Sequence, residues 1–305
     1  MFLKPMSVVN KRLSIISDQV DQDLEKACSI IKEAGYTSIE LHNVFNKTIE
    51  ECNEQEVEQI LTILNKYDLR VSNIASTIFF LCPLYEHYRV SLFNPAFHAI
   101  EGNIEDHLKA LKRACEIAEK LNCKTIRIFP FRSPDNEDIE VVGTRKDMNK
   151  IIEIFKRALQ VVRPYDVTLV VENCPYSHCP KGEMTLQIVR EMNDKQCKLL
   201  WDSANSYRAQ IHKVPSEYLT LSLTEEYQLI KKDIAHLHLK NYSFVKGLEK
   251  PFVHKSLLEG DIAYLPFIEC FMKEQNCSLS LEPEVDYQET LRSMQELKES
   301  VRGII

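Results

Sequence analysis

Four candidate metal ligands lie at or near the ends of four apolar runs of the sequence. Each run is rich in residues that favour β-strands, and each carries one carboxylate or imidazole: Glu172 in LVVEN, Asp202 in LLWDSAN, His238 in HLHLKN and Glu282 in LSLEPE. Three carboxylates and one imidazole suit Mn²⁺, with Zn²⁺, Mg²⁺ and Co²⁺ as alternatives. If these strand ends converge, the sequence predicts one bound divalent metal ion.

Two basic residues are expected beside these ligands. Converging carboxylates raise one another's pKa, so such a cluster needs either a cation or basic partners. Side chains alternate between the two faces of a strand, which puts Lys240 on the same face as His238. Arg127 lies on the polar face of KTIRIFPF. We therefore expect Arg127 and Lys240 to supply part of the compensating charge.

The same alternation assigns a polar, inward face to six predicted strands. His236 lies one step deeper than His238 on its strand, and we expect it to be a hydrogen-bonded structural residue. Glu40 and Arg127 are expected either to pair with each other or to contact substrate. The inward set consists of Ser38, Glu40, His42, Thr125, Arg127, Glu172, Asp202, His236, His238, Lys240, Ser278, Ser280 and Glu282.

The elements that must position this set repeat along the chain. DHLKALKRACEIAEKLNCKTIRIFPF shows the unit, an amphipathic helix, a polar turn at Asn122 suited to left-handed backbone, and a β-rich run. Eight β-rich runs occur, with helical patterns between most of them, which predicts an α/β fold, a single-domain (β/α)₈ TIM barrel over residues 1–305. A doubly wound sheet is the alternative, but its strands would be apolar on both faces.

Composition excludes several other classes of function. The net charge is −7 and basic residues form no dense run, so no nucleic-acid partner is expected. Neither GxGxxG nor GxxxxGK[ST] occurs, which disfavours dinucleotide and P-loop sites. No apolar run of membrane-spanning length or targeting segment is recognised, and the ten cysteines contain no CxxC pair. We expect a cytoplasmic protein with reduced thiols and no membrane partner; the sequence leaves homo-oligomer formation open.

Five motifs, in this order, resemble the xylose isomerase-like TIM-barrel superfamily, which includes the sugar phosphate isomerases and epimerases and family 2 of the AP endonucleases. The motifs are LVVEN, LLWDSAN, HLHLKN, LEGDIAY and LSLEPE, and AGYTSIEL matches the second strand of the family. The resemblance covers nearly the whole chain. It implies that the metal ligands are Glu172, Asp202, His238 and Glu282, the four residues that alternation and strand position also select.

The resemblance implies a metal-dependent isomerase or epimerase of a sugar or sugar phosphate. Proton abstraction next to a carbonyl would give a metal-stabilised enediolate. Glu172 and Glu282 would exchange protons with the substrate carbon from opposite sides, as the catalytic pair. The residues expected to contact the carbohydrate substrate are Asn205, Lys240, Arg127, Glu40 and Glu259.

Three departures from the family pattern leave the substrate open. Asn205 stands where the family often has His, Asn241 replaces the Asp of HxHxKD, and the usual GEG reads LEG around Glu259. A dehydratase acting on a sugar acid or an inosose is one alternative. An apurinic-site endonuclease is another, although the ends of the third and fourth strands lack the extra histidines it would need. A barrel that binds a ligand without turnover is the third.

Two long segments follow predicted strand ends. Residues 76–97 are aromatic and are expected either to cover the site or to pack on their surroundings. Residues 242–254 follow the seventh strand. Lys246, His254 and Lys255 there could bind an anionic group, although a solvated basic loop is the favoured interpretation.

Overall fold

A computed structural model describes residues 11–92, 97–209, 213–302 and 304 of the chain. Eight parallel strands form one sheet in the order Leu13–Ile15, Ser278–Leu281, Ile234–Leu239, Cys197–Asp202, Thr168–Glu172, Thr125–Ile128, Arg70–Ile74 and Ser38–Leu41. A bridge between Ile16 and Glu40 joins the two ends of the sheet. The predicted TIM barrel is therefore confirmed. The strands of the described chain are β1 (Leu13–Ile15), β2 (Ser38–Leu41), β3 (Asn43–Val44), β4 (Lys47–Thr48), β5 (Arg70–Ile74), β6 (Thr125–Ile128), β7 (Thr168–Glu172), β8 (Cys197–Asp202), β9 (Ile234–Leu239), β10 (Asn241–Phe244), β11 (Phe252–Lys255) and β12 (Ser278–Leu281).

Amphipathic helices surround the barrel. Several begin at a side chain that accepts from a backbone N–H of the first turn, as Asn103 and Thr144 do. The predicted left-handed turn at Asn122 is confirmed, with a φ of 51°. The helices of the described chain are α1 (Leu24–Glu33), α2 (Glu54–Tyr67), α3 (Ile104–Lys120), α4 (Arg145–Val162), α5 (Gly182–Met192), α6 (Ser203–Arg208), α7 (Leu223–Ile230), α8 (Tyr264–Glu274) and α9 (Tyr287–Arg302).

The barrel interior is polar along much of its length. The Ser14 and Ser72 hydroxyls lie 2.7 Å apart. Glu40 and His236 are almost completely buried, and the Glu40 carboxylate lies 2.9 Å from His236 Nε2. Because TIM-barrel interiors are usually filled by branched apolar side chains, this column of hydrogen-bonding groups indicates that the interior supports a chemical site.

Two antiparallel hairpins extend the carboxyl ends of barrel strands. β3 and β4 follow β2 almost immediately, and β10 and β11 follow β9. Asn241 anchors the second hairpin, since its amide donates to the carbonyls of Leu257 and Ile262 and accepts from the Ile262 N–H. The second hairpin is therefore tied to the loop that precedes α8.

Two further predictions concern the whole chain. All ten cysteines lie in the described part of the chain, and each is a free thiol. Among the described helices, none combines the length and apolarity that crossing a membrane requires.

Candidate metal centre and active site

The four predicted metal ligands come together at the carboxyl ends of four neighbouring strands. Glu172 and Asp202 are the last residues of β7 and β8, His238 is the last but one of β9, and Glu282 directly follows β12. One ligand atom from each of the four lies within 4.8 Å of every other. Residues that are distant in the sequence therefore form one cluster, because parallel strands in a barrel end on the same face.

The donor set fits a divalent cation. His238 Nδ1 and Asp202 Oδ2 are buried and make no hydrogen bond within the described structure. His238 Nδ1 lies 3.5 Å from Glu282 Oε2 and 3.8 Å from Glu172 Oε1. Buried polar atoms are normally hydrogen-bonded, so the unpartnered His238 Nδ1 beside two carboxylates fits the role of a cation ligand. Asp202 Oδ2 lies 3.1 Å from Lys240 Nζ, which compensates part of its charge. Oxygen-rich ligation with one nitrogen suits Mn²⁺, Mg²⁺, Zn²⁺ or Co²⁺.

Glu40 sets the orientation of the His238 ring. Its carboxylate lies 3.0 and 3.1 Å from His238 Nε2 and 2.9 Å from His236 Nε2, and it accepts from Asn73 Nδ2 at 2.6 Å. Burial alone would raise the pKa of Glu40, but the two imidazoles hold it well below its ordinary value. The carboxylate therefore favours a proton on His238 Nε2 and leaves Nδ1 directed at the cluster.

A second group of potential ligands consists of Glu40, His236 and His238. The Nε2 atoms of both rings already hydrogen-bond to the Glu40 carboxylate, so this group is satisfied without a cation. His236 has the structural role that its depth predicts. The expected alternative pairing of Glu40 with Arg127 does not form, because Glu40 turns to the histidines of β9.

Arg127 and Lys240 supply the compensating charge. Arg127 Nη1 lies 3.0 Å from Glu172 Oε2 and 3.5 Å from Glu282 Oε1, and its other nitrogens donate to the carbonyls of residues 75 and 76. Lys240 Nζ lies 2.8 Å from Glu282 Oε2 and 3.1 Å from Asp202 Oδ2. The guanidinium thus lies between the two glutamates and fixes both.

The two glutamates have different proton affinities. Burial raises the pKa of Glu172 to about 7, although Arg127 opposes the increase. Burial also acts on Glu282, but Lys240 and His238 outweigh it and hold the pKa of Glu282 well below its ordinary value. Two carboxyl groups whose pKa values are displaced in opposite directions can act as an acid and a base in one reaction.

Asn205 connects the cluster to the helix above it. Its backbone N–H donates to Asp202 Oδ1 at 2.8 Å, and its side-chain amide donates to Glu172 Oε1 at 3.2 Å and to the carbonyl of Asn173 at 2.9 Å. Asn205 therefore reaches the site, as predicted. Its amide holds the carboxyl group of Glu172 in place.

A cavity of about 480 Å³ opens above the cluster. The two predicted catalytic residues, Glu172 and Glu282, line this cavity. Three predicted substrate contacts also line it, namely Arg127, Lys240 and Asn205. Its volume is within the range of small-molecule sites, about 300–1,000 Å³.

Two predicted substrate contacts lie elsewhere. Glu40 is fully buried beneath His238 and does not line the cavity. Glu259 is exposed and pairs with Arg292 of α9 at 2.5 Å. The loop that carries Glu259 is held away from the cavity, because the Asn241 amide accepts from Ile262 on its far side. The structure therefore brings neither residue into contact with a ligand in this cavity.

The two segments after strand ends divide between cavity and core. Phe80, Phe97 and His254 line the cavity, whereas Phe79 packs on Phe131 with ring centroids 5.0 Å apart. Phe93 lies outside the described residues. The aromatic segment thus contributes both one cavity wall and part of the core.

Sequence reasoning missed the basic and aromatic wall formed by Arg132, Tyr176 and Arg208, all of which line the cavity. Arg132 and Tyr176 lie in loops, which carry no periodic signal. For Arg208 a signal existed, because it follows Asp202 and Asn205 at intervals of three residues, the spacing of one helix face.

Solved structures with a similar fold include an epimerase and a probable dehydratase. The D-psicose 3-epimerase of Clostridium cellulolyticum H10, solved with D-tagatose, has a TM-score of 0.67 and 12% identity, covering 96% of this chain and 99% of that one. The probable 3-DHS dehydratase AsbF of Bacillus anthracis has a TM-score of 0.66 and 14% identity, with 95% and 98% covered. At such identities the similarity shows the fold alone.

A third solved structure holds a metal. It is a xylose isomerase-like TIM barrel protein of Mycobacterium smegmatis in complex with magnesium, with a TM-score of 0.65, 14% identity, and 92% and 88% of the two chains covered. No curated protein matches the sequence significantly. The family described as xylose isomerase-like TIM barrel matches residues 28–302. The chain belongs to the xylose isomerase-like TIM-barrel family.

Proposed function

We propose that this protein is a metal-dependent isomerase or epimerase of a small carbohydrate. The observation that carries the proposal is the pair Glu172 and Glu282, which both contact Arg127 Nη1 and both line one cavity. Solved neighbours with sugar epimerase activity in their names support the general class.

The side chains divide the work of proton transfer. Glu282, ionised, takes the proton from a substrate carbon next to a carbonyl, and the electron pair of the broken C–H bond forms the carbon–carbon double bond of an enediolate. Glu172, protonated, then returns a proton from the opposite side or to the neighbouring carbon. Return to the same carbon inverts it, whereas return to the neighbour moves the carbonyl.

A divalent cation held by Glu172, Asp202, His238 and Glu282 would supply positive charge beside the substrate oxygens that become negative. We infer Mn²⁺ from the donor set, with Mg²⁺, Zn²⁺ and Co²⁺ as alternatives. Metal analysis of the purified protein should find about one divalent ion per chain. Several zinc ions per chain, the pattern expected of an apurinic-site endonuclease, would contradict the proposal.

Solvent exchange tests the chemistry before the product is known. Ketoses, ketose phosphates and inososes are incubated with the Mn²⁺-loaded protein in deuterated water, and mass spectrometry measures deuterium at carbon. Glu172→Gln and Glu282→Gln should each slow exchange by about 100-fold or more, the usual contribution of a positioned acid or base. The matched control is Glu50→Gln, because Glu50 is equally buried but contacts Thr77 and lies outside the cavity.

The outcomes separate the alternatives. Exchange that persists in both glutamine variants removes the two residues from the mechanism. A deuterated product lighter by one water identifies a dehydratase that begins with the same proton removal. Binding without exchange in any substrate identifies a ligand-binding barrel.

A further inference from the structure

The cavity has a second, basic end. The guanidinium carbon of Arg208 lies 5.3 Å from the ring centroid of Tyr176 and 5.2 Å from that of Tyr242. Arg208 donates to the hydroxyls of the same two tyrosines, at 2.8 and 3.3 Å. The guanidinium carbon of Arg132 lies 5.4 Å from the Tyr176 ring. Two guanidinium groups therefore flank one tyrosine on the cavity wall.

Arg208 has no carboxylate counter-ion among the described residues, since no acidic oxygen of that part of the chain lies within 4.0 Å. Its Nε atom is buried and without a hydrogen-bond partner there. Aromatic faces and phenol hydroxyls compensate a partly buried cation only in part. An arginine held rigidly in this way, with one N–H unused, is arranged to bind an anion.

The acidic residues of the cavity are already engaged elsewhere. Glu172 and Glu282 face Arg127, and Glu284 lies 3.4 Å from Lys240 Nζ and 3.5 Å from His254 Nδ1. The remaining lining charges are Glu249 and Lys250, which are adjacent and opposite in sign. Arg132 Nη2 lies 3.5 Å from Asp135 Oδ1, so the unbalanced positive charge at this end of the cavity is that of Arg208.

The position of Arg208 relates it to the reacting groups. Asp202 caps α6, and Asn205 and Arg208 follow at intervals of three residues, so all three lie along one side of the helix. Six residues of helix span about 9 Å along the axis. A small sugar whose carbonyl end contacts Glu172 and Glu282 would thus extend its other end toward Arg208.

We propose that Arg208, with Arg132 beside it, binds a phosphate or carboxylate at the end of the substrate remote from the reacting carbon. The inference rests on the proposed function, because it names the substrate class of the same site: an anionic sugar. The guanidinium fork donates two parallel hydrogen bonds to such an oxyanion, and an uncharged sugar leaves them unmade.

A matched series tests the proposal. D-fructose, D-fructose 6-phosphate and D-fructuronate differ only at carbon six, and calorimetry measures the Kd of each for the Mg²⁺-loaded protein. At least one charged sugar should bind about tenfold more tightly than D-fructose, since hydrogen bonds to charged groups have roughly this effect. Which of the two binds more tightly identifies phosphate or carboxylate. The preference should weaken as ionic strength rises.

Variants assign the preference to Arg208. Arg208→Gln should abolish the preference, so that D-fructose and the charged sugars bind with similar Kd values, whereas Arg208→Lys should retain part of it because the charge remains. Arg145→Gln, which removes a surface arginine paired with Glu191, is the control and should retain it fully. Because Arg208→Gln could fail to fold, thermal unfolding of the wild type with inorganic phosphate and with malonate gives a second readout. At least one anion should raise Tm, and Arg208→Lys should reduce that increase.

The results distinguish this inference from the proposed function. Equal affinities across the sugar series, no increase in Tm with either anion, or a preference that survives in Arg208→Gln would overturn the anion site, even if deuterium exchange proceeds. Conversely, a preference that Arg208→Gln abolishes supports the anion site even if no sugar exchanges deuterium.

Discussion

Replacing Glu40 by Gln should weaken both the metal centre and the fold. Glu40 Oε1 accepts from Asn73 and His238, and Oε2 accepts from His236 and His238. A glutamine retains one oxygen, but its NH₂ group must face donors at the other position. In Glu40→Gln, the new amide N–H group therefore faces another N–H donor in the barrel interior. The substitution also removes the charge that fixes the His238 ring.

The size of the effect follows from these contacts. Hydrogen bonds to charged groups contribute about 1.5–3 kcal/mol each, and at least one is lost with its donor left unsatisfied, so unfolding should become easier by about 2–4 kcal/mol. Loss of a carboxylate that orients a metal-binding histidine typically costs about 10–100-fold in metal affinity. We expect both effects in Glu40→Gln, and they are measured separately.

Calorimetric titration with Mn²⁺ and urea denaturation of the metal-free protein provide the two measurements. Glu50→Gln is again the matched control, because Glu50 is a buried carboxyl that accepts from the Thr77 N–H and hydroxyl and contacts neither histidine. It should leave the Mn²⁺ affinity unchanged. If Glu40→Gln binds Mn²⁺ as tightly as the wild type, the inferred control of His238 by Glu40 is refuted.

Three further predictions concern stability, each measured by urea denaturation. Lys181→Met should lower the free energy of unfolding by about 3–5 kcal/mol, because it removes the ammonium group that lies 2.7 Å from the buried Glu226 carboxylate. A loss below about 1 kcal/mol would contradict this expectation. Gly260→Ala should lower the free energy of unfolding by about 1–3 kcal/mol, since the new Cβ would lie 2.3 Å from Asn241 Cγ. An unchanged unfolding midpoint would show that the loop moves to accommodate the methyl group without cost. Burial lowers the pKa of His107 from 6.5 to about 4, so below pH 6.5 the unfolded chain binds a proton that the folded chain does not. The free energy of unfolding should therefore fall by about 3 kcal/mol between neutral pH and pH 4. His107→Asn should remove that fall, and a pH profile identical to that of the wild type would refute the assignment.

The sequence is sufficient to predict which four candidate metal ligands converge. A period of two within each apolar run shows which side chains face inward, and a parallel barrel brings all carboxyl ends to one face. Glu172, Asp202, His238 and Glu282 satisfy both conditions. Their convergence therefore required no knowledge of the exact strand register.

Contacts that depend on register could not be predicted. The pairing of β2 with β5 shifts between Ile39 and Glu40, and the pairing of β8 with β9 shifts between Leu199 and Leu200. Such irregularities change the direction of side chains across the barrel. As a result Glu40 faces the histidines of β9 and not Arg127, a choice that alternation within one strand does not determine.

The positions of side chains in loops also could not be predicted from hydrophobic periodicity. Glu259 was assigned to the site from a motif, but hydrogen bonds of Asn241 and the ion pair with Arg292 hold its loop at the surface. The three-residue spacing from Asp202 and Asn205 is the signal that indicates Arg208, because α6 has only six residues and is too short to show a hydrophobic period. Short elements at strand ends carry the groups that distinguish substrates, and tertiary contacts rather than periodicity place them.

The charges of the site favour the binding of a cation. Glu40, Glu172, Asp202 and Glu282 are buried carboxyl groups, and Arg127 and Lys240 balance only part of their charge. Burial raises the pKa of Glu172 to about 7, and the pKa of His238 lies well above its ordinary value because Glu40 and Glu282 outweigh burial. Protons on these two groups would reduce the net negative charge of the cluster. A divalent cation would supply the same compensation and would compete with these protons for the ligand atoms. The carboxyl groups that would hold the metal would then also be groups that bind and release protons, which is the property an isomerase or epimerase requires.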